Sequence, residues 1–345
     1  MNEPNQPTTS AEIPPPVAML QLIAGFWVSH AISIAAKLGI ADLLKDQPQR
    51  SEELAQATGT HAPSLYRVLR ALASVGVFAE DEQGRFALTP LGATLQTGVP
   101  GSLRAWATLT VGETNYPAWG NLLHSVKTGE TAFDQLFGMN VWQYQVQHPE
   151  AAQLFDEAMA NFTAVAIAAI LASYDFSPIG TLVDVGGGNG GLIAAILKAN
   201  PRMKGILFDA PHVVAGARRR MEAEGLTERC EISAGDFFES APSGGDAYVL
   251  KNIIVDWDEE RSVKILRNCH RAMKTQGKLL VIEPVILPGT EHSLRKFIDL
   301  LMLVMTGGRG RTEAEHRALL AAAGFRLTQI IPTQSEMSVI EAVRA

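Results

Sequence analysis

Cysteine is nearly missing from this 345-residue chain, which has only Cys230 and Cys269, far apart in the sequence. Two such residues make neither a disulfide framework nor a ligand cluster, and a reducing cytoplasmic setting is the simpler expectation. No spacing of His, Asp and Cys suggests a metal site, and His292 and His316 are expected to be exposed. Positive charge is also short: 29 Lys and Arg stand against 36 Asp and Glu, a formal net charge of −7, with no basic run. That balance argues against a polyanion-binding surface, so neither nucleic acid nor a membrane is an expected partner. Long uninterrupted apolar runs are absent as well. Ser, His, Lys or Gly breaks each within a span's length, and no transmembrane helix is expected. The proline-rich start, Met1–Pro16, lacks the basic beginning and apolar centre of a signal peptide and reads as a disordered tail.

What is present falls into three further segments, 17–100, 101–175 and 176–345. Val17–Leu44 is helical and too apolar for a solvated helix, so burial against another helix or subunit is expected, with His30 packed on that face. Ser51–Gly59 has a serine cap, early acids and a terminal glycine, and Pro63–Gly76 is a second helix. Val77–Glu80 and Arg85–Leu88 flank a turn at Asp81–Gly84, completing a winged helix. Residues 1–100 hold six Lys and Arg against nine Asp and Glu. A DNA reader needs a cationic footprint, so this half is a dimerisation scaffold. Residues 101–175 are helical, and their aromatic residues, from Trp106 to Phe162, divide evenly between core and acceptor-pocket readings. After Pro178 strands and helices alternate. Strands are expected at 181–185, 205–209, 230–234, 246–250 and 278–283, with an antiparallel pair at 326–332 and 337–343. The fold class is α/β, with an open, mostly parallel Rossmann-like sheet behind an α-rich N-terminal domain.

Within Leu182–Gly191 a buried-strand run enters a glycine cluster and a helix follows. Gly186, Gly188 and Gly191 satisfy G-x-G-x-x-G in strand–turn–helix context, which lets a nucleotide-type ligand approach the backbone. Asp184 lies just before the glycines, and Asp209 ends the next strand, where it suits ribose hydroxyls. Asp236 and Phe237 follow the third strand and suit an adenine amino group and ring face. Lys251 follows the fourth, and Trp257 is placed to cover the other adenine face.

With these motifs in order the chain resembles the small-molecule O-methyltransferases of the plant caffeic-acid type and their bacterial relatives. The resemblance rests on Asp184-Val-Gly-Gly-Gly188, Phe208-Asp-Ala-Pro-His212, Gly235-Asp-Phe-Phe238, Asp256-Trp257, Glu283-Pro284 and Gly307-Gly-Arg-x-Arg-Thr312. It implies S-adenosylmethionine (SAM) as cofactor and S-adenosylhomocysteine (SAH) as product. Gly186, Gly188, Asp209, Asp236, Phe237 and Lys251 are implied as its binding residues, a small-molecule acceptor as substrate, and an intertwined homodimer through the N-terminal domain. Met159, Phe162, Met302 and Met305 are candidates for the acceptor pocket, the resemblance favouring Met159 and Met302.

Two departures fall at the reaction centre. The family's general base is a histidine just before the Asp-Trp pair, and Val255 stands there. Of the two glutamates that orient that histidine, Glu283 matches the first, while Gly310 occupies the second position and is expected to add space. Asp256 is a weaker candidate for a substitute base. The expected activity is therefore SAM-dependent methylation of a small aromatic or natural-product-like molecule without the usual base. The alternatives are a non-methylating SAM enzyme on the same scaffold (hydroxylase, decarboxylase or pericyclase), an inactive SAM-binding protein, or an engineered variant.

Overall fold

The computed structural model describes residues 13–345. Residues 1–12 of the expected tail lie outside the described residues. Its last two prolines instead open a helix, Pro15–Lys37, a position where the fixed φ of proline suits the first turn. The chain divides into two compact units, one ending at Thr97 and the other spanning Gly98–Ala345.

In the first unit β1 (Gln49–Arg50), β2 (Phe78–Glu80) and β3 (Arg85–Leu88) form an antiparallel sheet in the order β1-β3-β2, beside the helices Ser51–Thr58 and Ala62–Ser74. This is the winged-helix arrangement. The wing turn is tied by Asp81, whose carboxylate accepts the N–H groups of Gln83 and Arg85 and pairs with the Arg85 side chain at 2.8 Å. Ser51 does not cap its helix as expected. It is the first helical residue, and Glu53 accepts the Arg50 N–H at 2.7 Å instead. The apolar surface of Pro15–Lys37 is not covered within this unit: Leu22 is 76% and Trp27 69% exposed. By length and composition alone that helix is also sufficient to cross a membrane, where none was expected.

The second unit is built on seven strands: β4 (Thr181–Val185), β5 (Lys204–Asp209), β6 (Cys230–Ala234), β7 (Ala247–Lys251), β8 (Lys278–Glu283), β11 (Phe325–Pro332) and β12 (Ser338–Arg344). Their order is β11-β12-β8-β7-β4-β5-β6; β12 runs antiparallel to both neighbours and the rest are parallel. Successive side chains of a strand point to opposite faces, and neighbours on one strand accordingly enter different cores. Leu182 and Val249 pack with Ile193 and Ile196, while Val183 and Tyr248 pack with Ile265, Leu266 and Phe325. Helices Gly191–Ala199, Val214–Ala223, Glu259–Ala272 and Glu313–Ala322 connect the strands. One addition was not expected: β9 (Val285–Ile286) pairs in parallel with β10 (Arg311–Thr312). It leads into the Glu313–Ala322 helix, which is closed by reciprocal bonds between Thr312 and Glu315. The aromatic-rich stretch supplies two smaller cores, one around Phe133, Val141 and Met305, the other around Ala105, Leu109 and Ala158.

The edge opposite β6 is fastened by a buried polar knot. Tyr174 Oη donates to Glu341 Oε2 at 2.7 Å, Lys278 Nζ reaches the same oxygen at 2.8 Å, and Thr328 Oγ1 donates to Oε1 at 2.8 Å. Burial and the neighbouring carboxylate push the Tyr174 hydroxyl up, so it remains a donor. Tyr174→Phe removes one of three bonds to a carboxylate that keeps the others. It is expected to lower the urea unfolding free energy by about 1–2 kcal/mol, and an unchanged unfolding midpoint would contradict this.

Candidate active site

Four parallel strands finish at one edge of the sheet, and each brings a charged side chain there. Asp184 is next to last in β4, and Asp209, Lys251 and Glu283 end β5, β7 and β8. The chain lays down β4-β5-β6 in one direction and then returns to place β7 and β8 on the other side of β4. Such a reversal leaves a crevice beyond the carboxyl ends of the two central strands, where α/β sheets take their ligands.

The turn after β4 is shaped for close approach. Gly186 has φ +72°, and a Cβ there would lie 2.3 Å from Ile253 Cδ1. Its N–H donates to Phe208 O at 2.8 Å, the Gly188 N–H to Asp209 Oδ2 at 2.8 Å, and the Ala210 N–H to Asp209 Oδ1 at 2.7 Å. Gly191, the third glycine of the motif, simply opens the helix. The left-handed positions of the loop are Gly186, Gly188 (φ +58°) and Gly190 (φ +79°). Asp184 is buried beneath Gly187, and its Oδ2 has no hydrogen-bond partner. Burial, aided by the charge of Asp209 and opposed by Lys251, pushes the Asp184 carboxyl up to about 7. Asp209 is also raised by burial, and the two N–H groups it accepts hold it down. A loop with two acids beneath it repels phosphate and receives hydroxyl donors, which suits the ribose of an adenosyl group.

The adenine-side candidates gather after β6 and β7. Asp236 is exposed and accepts the Phe238 N–H at 2.7 Å. Trp257 does not stand parallel to Phe237 as a second plate. Their centroids are 6.1 Å apart at 72°, and Phe238 meets Trp257 edge-on at 4.8 Å. The outer side of Trp257 faces Trp142 at 5.8 Å, beside a groove of about 600 Å³ that also involves Asn140 and Thr306. Lys251 is lowered by burial and supported by Asp184 and Asp256 on either side.

Where the sequence places the reaction centre, the chain after β7 forms a single 3-10 turn, Ile254–Asp256. Val255 is 5% exposed, and its N–H donates to Glu283 Oε2 at 3.0 Å. Asp256 is raised by burial and by Glu283, against the pull of Lys251. Arg311 is fully buried and donates to Ile254 O at 3.0 Å, Trp257 O at 3.1 Å and Ser262 Oγ at 3.2 Å.

Two sequence expectations are corrected here. His316 is buried, 1% exposed, with Nε2 3.6 Å from Glu283 Oε1. Its position one turn before Leu319 and Leu320, both buried, was a periodic signal available in the sequence. Gly310 does not open space. A Cβ there would lie 2.8 Å from Ile286 Cδ1 and 3.2 Å from Asp299 Cβ, and Asp299 accepts the Gly310 N–H at 2.7 Å. Ile253, Asp299 and Arg311 are site residues that sequence reasoning left without a role. Of the acceptor-pocket candidates, Met159 packs beside Trp106 and Phe162 stacks on Trp106 at 5.7 Å. Met302 is buried and takes the Thr306 hydroxyl at its sulfur, while Met305 is built into the core around Phe133.

The O-methyltransferase domain family matches residues 119–326, and the O-methyltransferase dimerisation domain family matches residues 20–98. Phenazine O-methyltransferase from Lysobacter antibioticus is 48% identical over 324 residues, 94% of this chain and 95% of that protein. The crystal structure of LaPhzM superposes with a TM-score of 0.93 at 47% identity, covering 96% of this chain and 100% of that one. An O-methyltransferase of neocarzinostatin biosynthesis, solved with SAM and 2-hydroxy-5-methyl naphthoic acid, gives a TM-score of 0.82 at 34% identity over 94% of this chain and 98% of that one.

Gly186→Ala forces a side chain into both a left-handed backbone position and the Ile253 methyl. The strain is expected to cost about 1–3 kcal/mol and to weaken SAH binding by roughly tenfold or more. Calorimetric titration with SAH checks this, and wild-type affinity would refute it.

Proposed function

The chain belongs to the O-methyltransferase family and is a SAM-dependent small-molecule methyltransferase; on that premise we propose that it methylates a ring hydroxyl of a planar fused aromatic acceptor without a side-chain base. The observation that carries this reading is the buried Val255 side chain at the base position. An isopropyl group has no lone pair, and the adjacent acid, Glu283, is committed to the Val255 amide.

SAM supplies an electrophilic methyl group when bound. Asp209 accepts the ribose hydroxyls, while Gly186 and Gly188 keep the loop low enough for close approach. Asp184 and Lys251 set the charge beneath the loop, and Asp236 and Phe237 take the adenine, with Trp257 closing the aromatic cluster from the side. Met159 and Phe162 from the helix Pro149–Ser173 and Met302 from the helix Leu294–Met305 form the apolar side of the acceptor pocket, and Met305 anchors the second of these helices in the core around Phe133.

A simple phenol, with a pKa of about 10, is ionised to roughly one part in a thousand at pH 7. A positioned base contributes about 10²–10⁴-fold. Without one, a phenol is a poor acceptor, whereas a hydroxyl on an electron-poor fused ring ionises more readily and needs only alignment. The phenazine named for one similar protein is an electron-poor fused ring of this kind, and the naphthoic acid named for another is a planar fused ring; both support the choice of acceptor shape, the first also its acidity.

The rate with a hydroxyphenazine is expected to rise with pH along the acceptor's own ionisation, one methyl lost from SAM per product, with no bell-shaped profile. Val255→His is expected to raise kcat/KM on simple phenols about 10²-fold. Absence of any transfer to hydroxyphenazine, or no gain on phenols, would sink the reading. The single substitution is preferred to one paired with Gly310→Glu, because Ile286 and Asp299 crowd position 310.

The dimerisation-domain match and the uncovered face of Pro15–Lys37 support a homodimer in which a second copy covers Leu22 and Trp27. Leu22→Asp with Trp27→Asp should shift sedimentation equilibrium from dimer towards monomer; an unaltered dimer would contradict it. Cys230 and Cys269 are buried and free of a disulfide, which supports a reducing setting.

A further inference from the structure

Behind Val255 lies a buried pair for which methyl transfer, as described above, has no use. Glu283 ends β8 and His316 sits in the helix Glu313–Ala322; each is 1% exposed. Oε2 of Glu283 takes the Val255 N–H at 3.0 Å, and Oε1 faces Nε2 of His316 at 3.6 Å. That nitrogen has no hydrogen-bond partner in the structure. A buried imidazole nitrogen facing a carboxylate is costly unpaired, and a closer approach of a few tenths of an ångström makes the pair a hydrogen bond.

The surrounding chain brings the two together by construction. Pairing of Val285 with Arg311 and Ile286 with Thr312 joins the segment just after Glu283 to the segment just before the His316 helix. Arg311 then holds the carbonyls of Ile254 and Trp257, while Glu283 holds the amide of Val255 between them. The turn is thus gripped from both sides, by a cation on its carbonyls and a carboxylate on its amide.

We propose that His316 is a positioning residue for methyl transfer: a hydrogen bond from its Nε2 keeps Glu283 on the Val255 amide and so fixes the turn that walls the acceptor. The role of Val255 as acceptor wall is taken from the function proposed above. Arg311 and Asp256 are the charged groups that act on Glu283, and Arg311 and Glu315 those that act on His316, with Glu259 3.6 Å from Arg311. Burial, joined by the charge of Arg311, lowers His316 to about 4. The imidazole is therefore neutral near pH 7 and able to donate Nε2–H to Oε1. Burial raises Glu283 to about 7, opposed by Arg311 and the Val255 N–H.

Wild type, His316→Phe and His316→Gln are compared by three measurements: SAH affinity by calorimetry, kcat and KM on hydroxyphenazine, and the pH titration of the Glu283 carboxyl band in infrared difference spectra, assigned by its loss in Glu283→Gln. The phenylalanine variant fills the space without a donor, whereas glutamine returns an N–H near Nε2. His316→Phe is expected to bind SAH within about twofold of wild type, to lose about tenfold in kcat, and to shift the carboxyl titration. His316→Gln is expected to recover kcat to within about threefold and to restore the titration. The proposal is overturned if His316→Phe keeps the wild-type kcat and titration, or if His316→Gln is no better than His316→Phe. If wild type fails to methylate hydroxyphenazine, the acceptor reading falls, while the carboxyl titration still decides the pair: a curve unchanged in His316→Phe rejects it.

Discussion

A fully buried guanidinium is costly unless its N–H groups meet acceptors, and Arg311 meets most of this demand by donating from both terminal nitrogens to the peptide carbonyls of the turn after β7, while its Nε stays unpaired. Charge burial and chain geometry are therefore the same constraint here. Ile254 and Trp257 contribute the acceptors, Ser262 adds a hydroxyl, and Glu259 lies 3.6 Å away as a partly exposed counter-charge. Because these acceptors bracket Val255, one arginine places both Trp257 and the buried Val255 side chain. The short β9–β10 pairing sets Arg311 at the required height.

Around this anchor the carboxyl edge of the sheet works as a set of mutually adjusting charges. Asp184 and Asp256 flank Lys251, and Glu283 lies between Asp256 and Arg311, so each acid is raised by burial and drawn back by a neighbouring cation. The edge keeps its electrostatic order without an imidazole at position 255. The surroundings of Gly310 are filled as well, by Ile286 and Asp299.

Much of the fold could be read from residue patterns. The strand expected at 181–185 is Thr181–Val185, and those expected at 205–209 and 230–234 are Lys204–Asp209 and Cys230–Ala234. Buried parallel strands announce themselves as short apolar runs between turns, and the terminal hairpin does so because only a short segment separates its strands. The glycine loop was legible for a similar reason, since its strand, turn and helix are contiguous. His316 is buried against expectation because helical periodicity, not residue type, decides the buried face, and it shares that face with Leu319 and Leu320. The β9–β10 pair leaves no mark in the sequence, because two-residue strands carry no pattern.

Local rules, readable along the chain, set the order of strands and helices, the backbone freedom of the loop after β4, the acid that ends β5, and the absence of a titratable side chain at position 255. Folding alone settles which distant groups share a low-dielectric space. Glu283 turning to the Val255 amide, His316 facing that carboxylate, Asp299 taking the Gly310 N–H, and Phe237 meeting Trp257 edge-on all join residues from different elements. Their interaction depends on distance and burial, and neither is encoded by spacing along a chain.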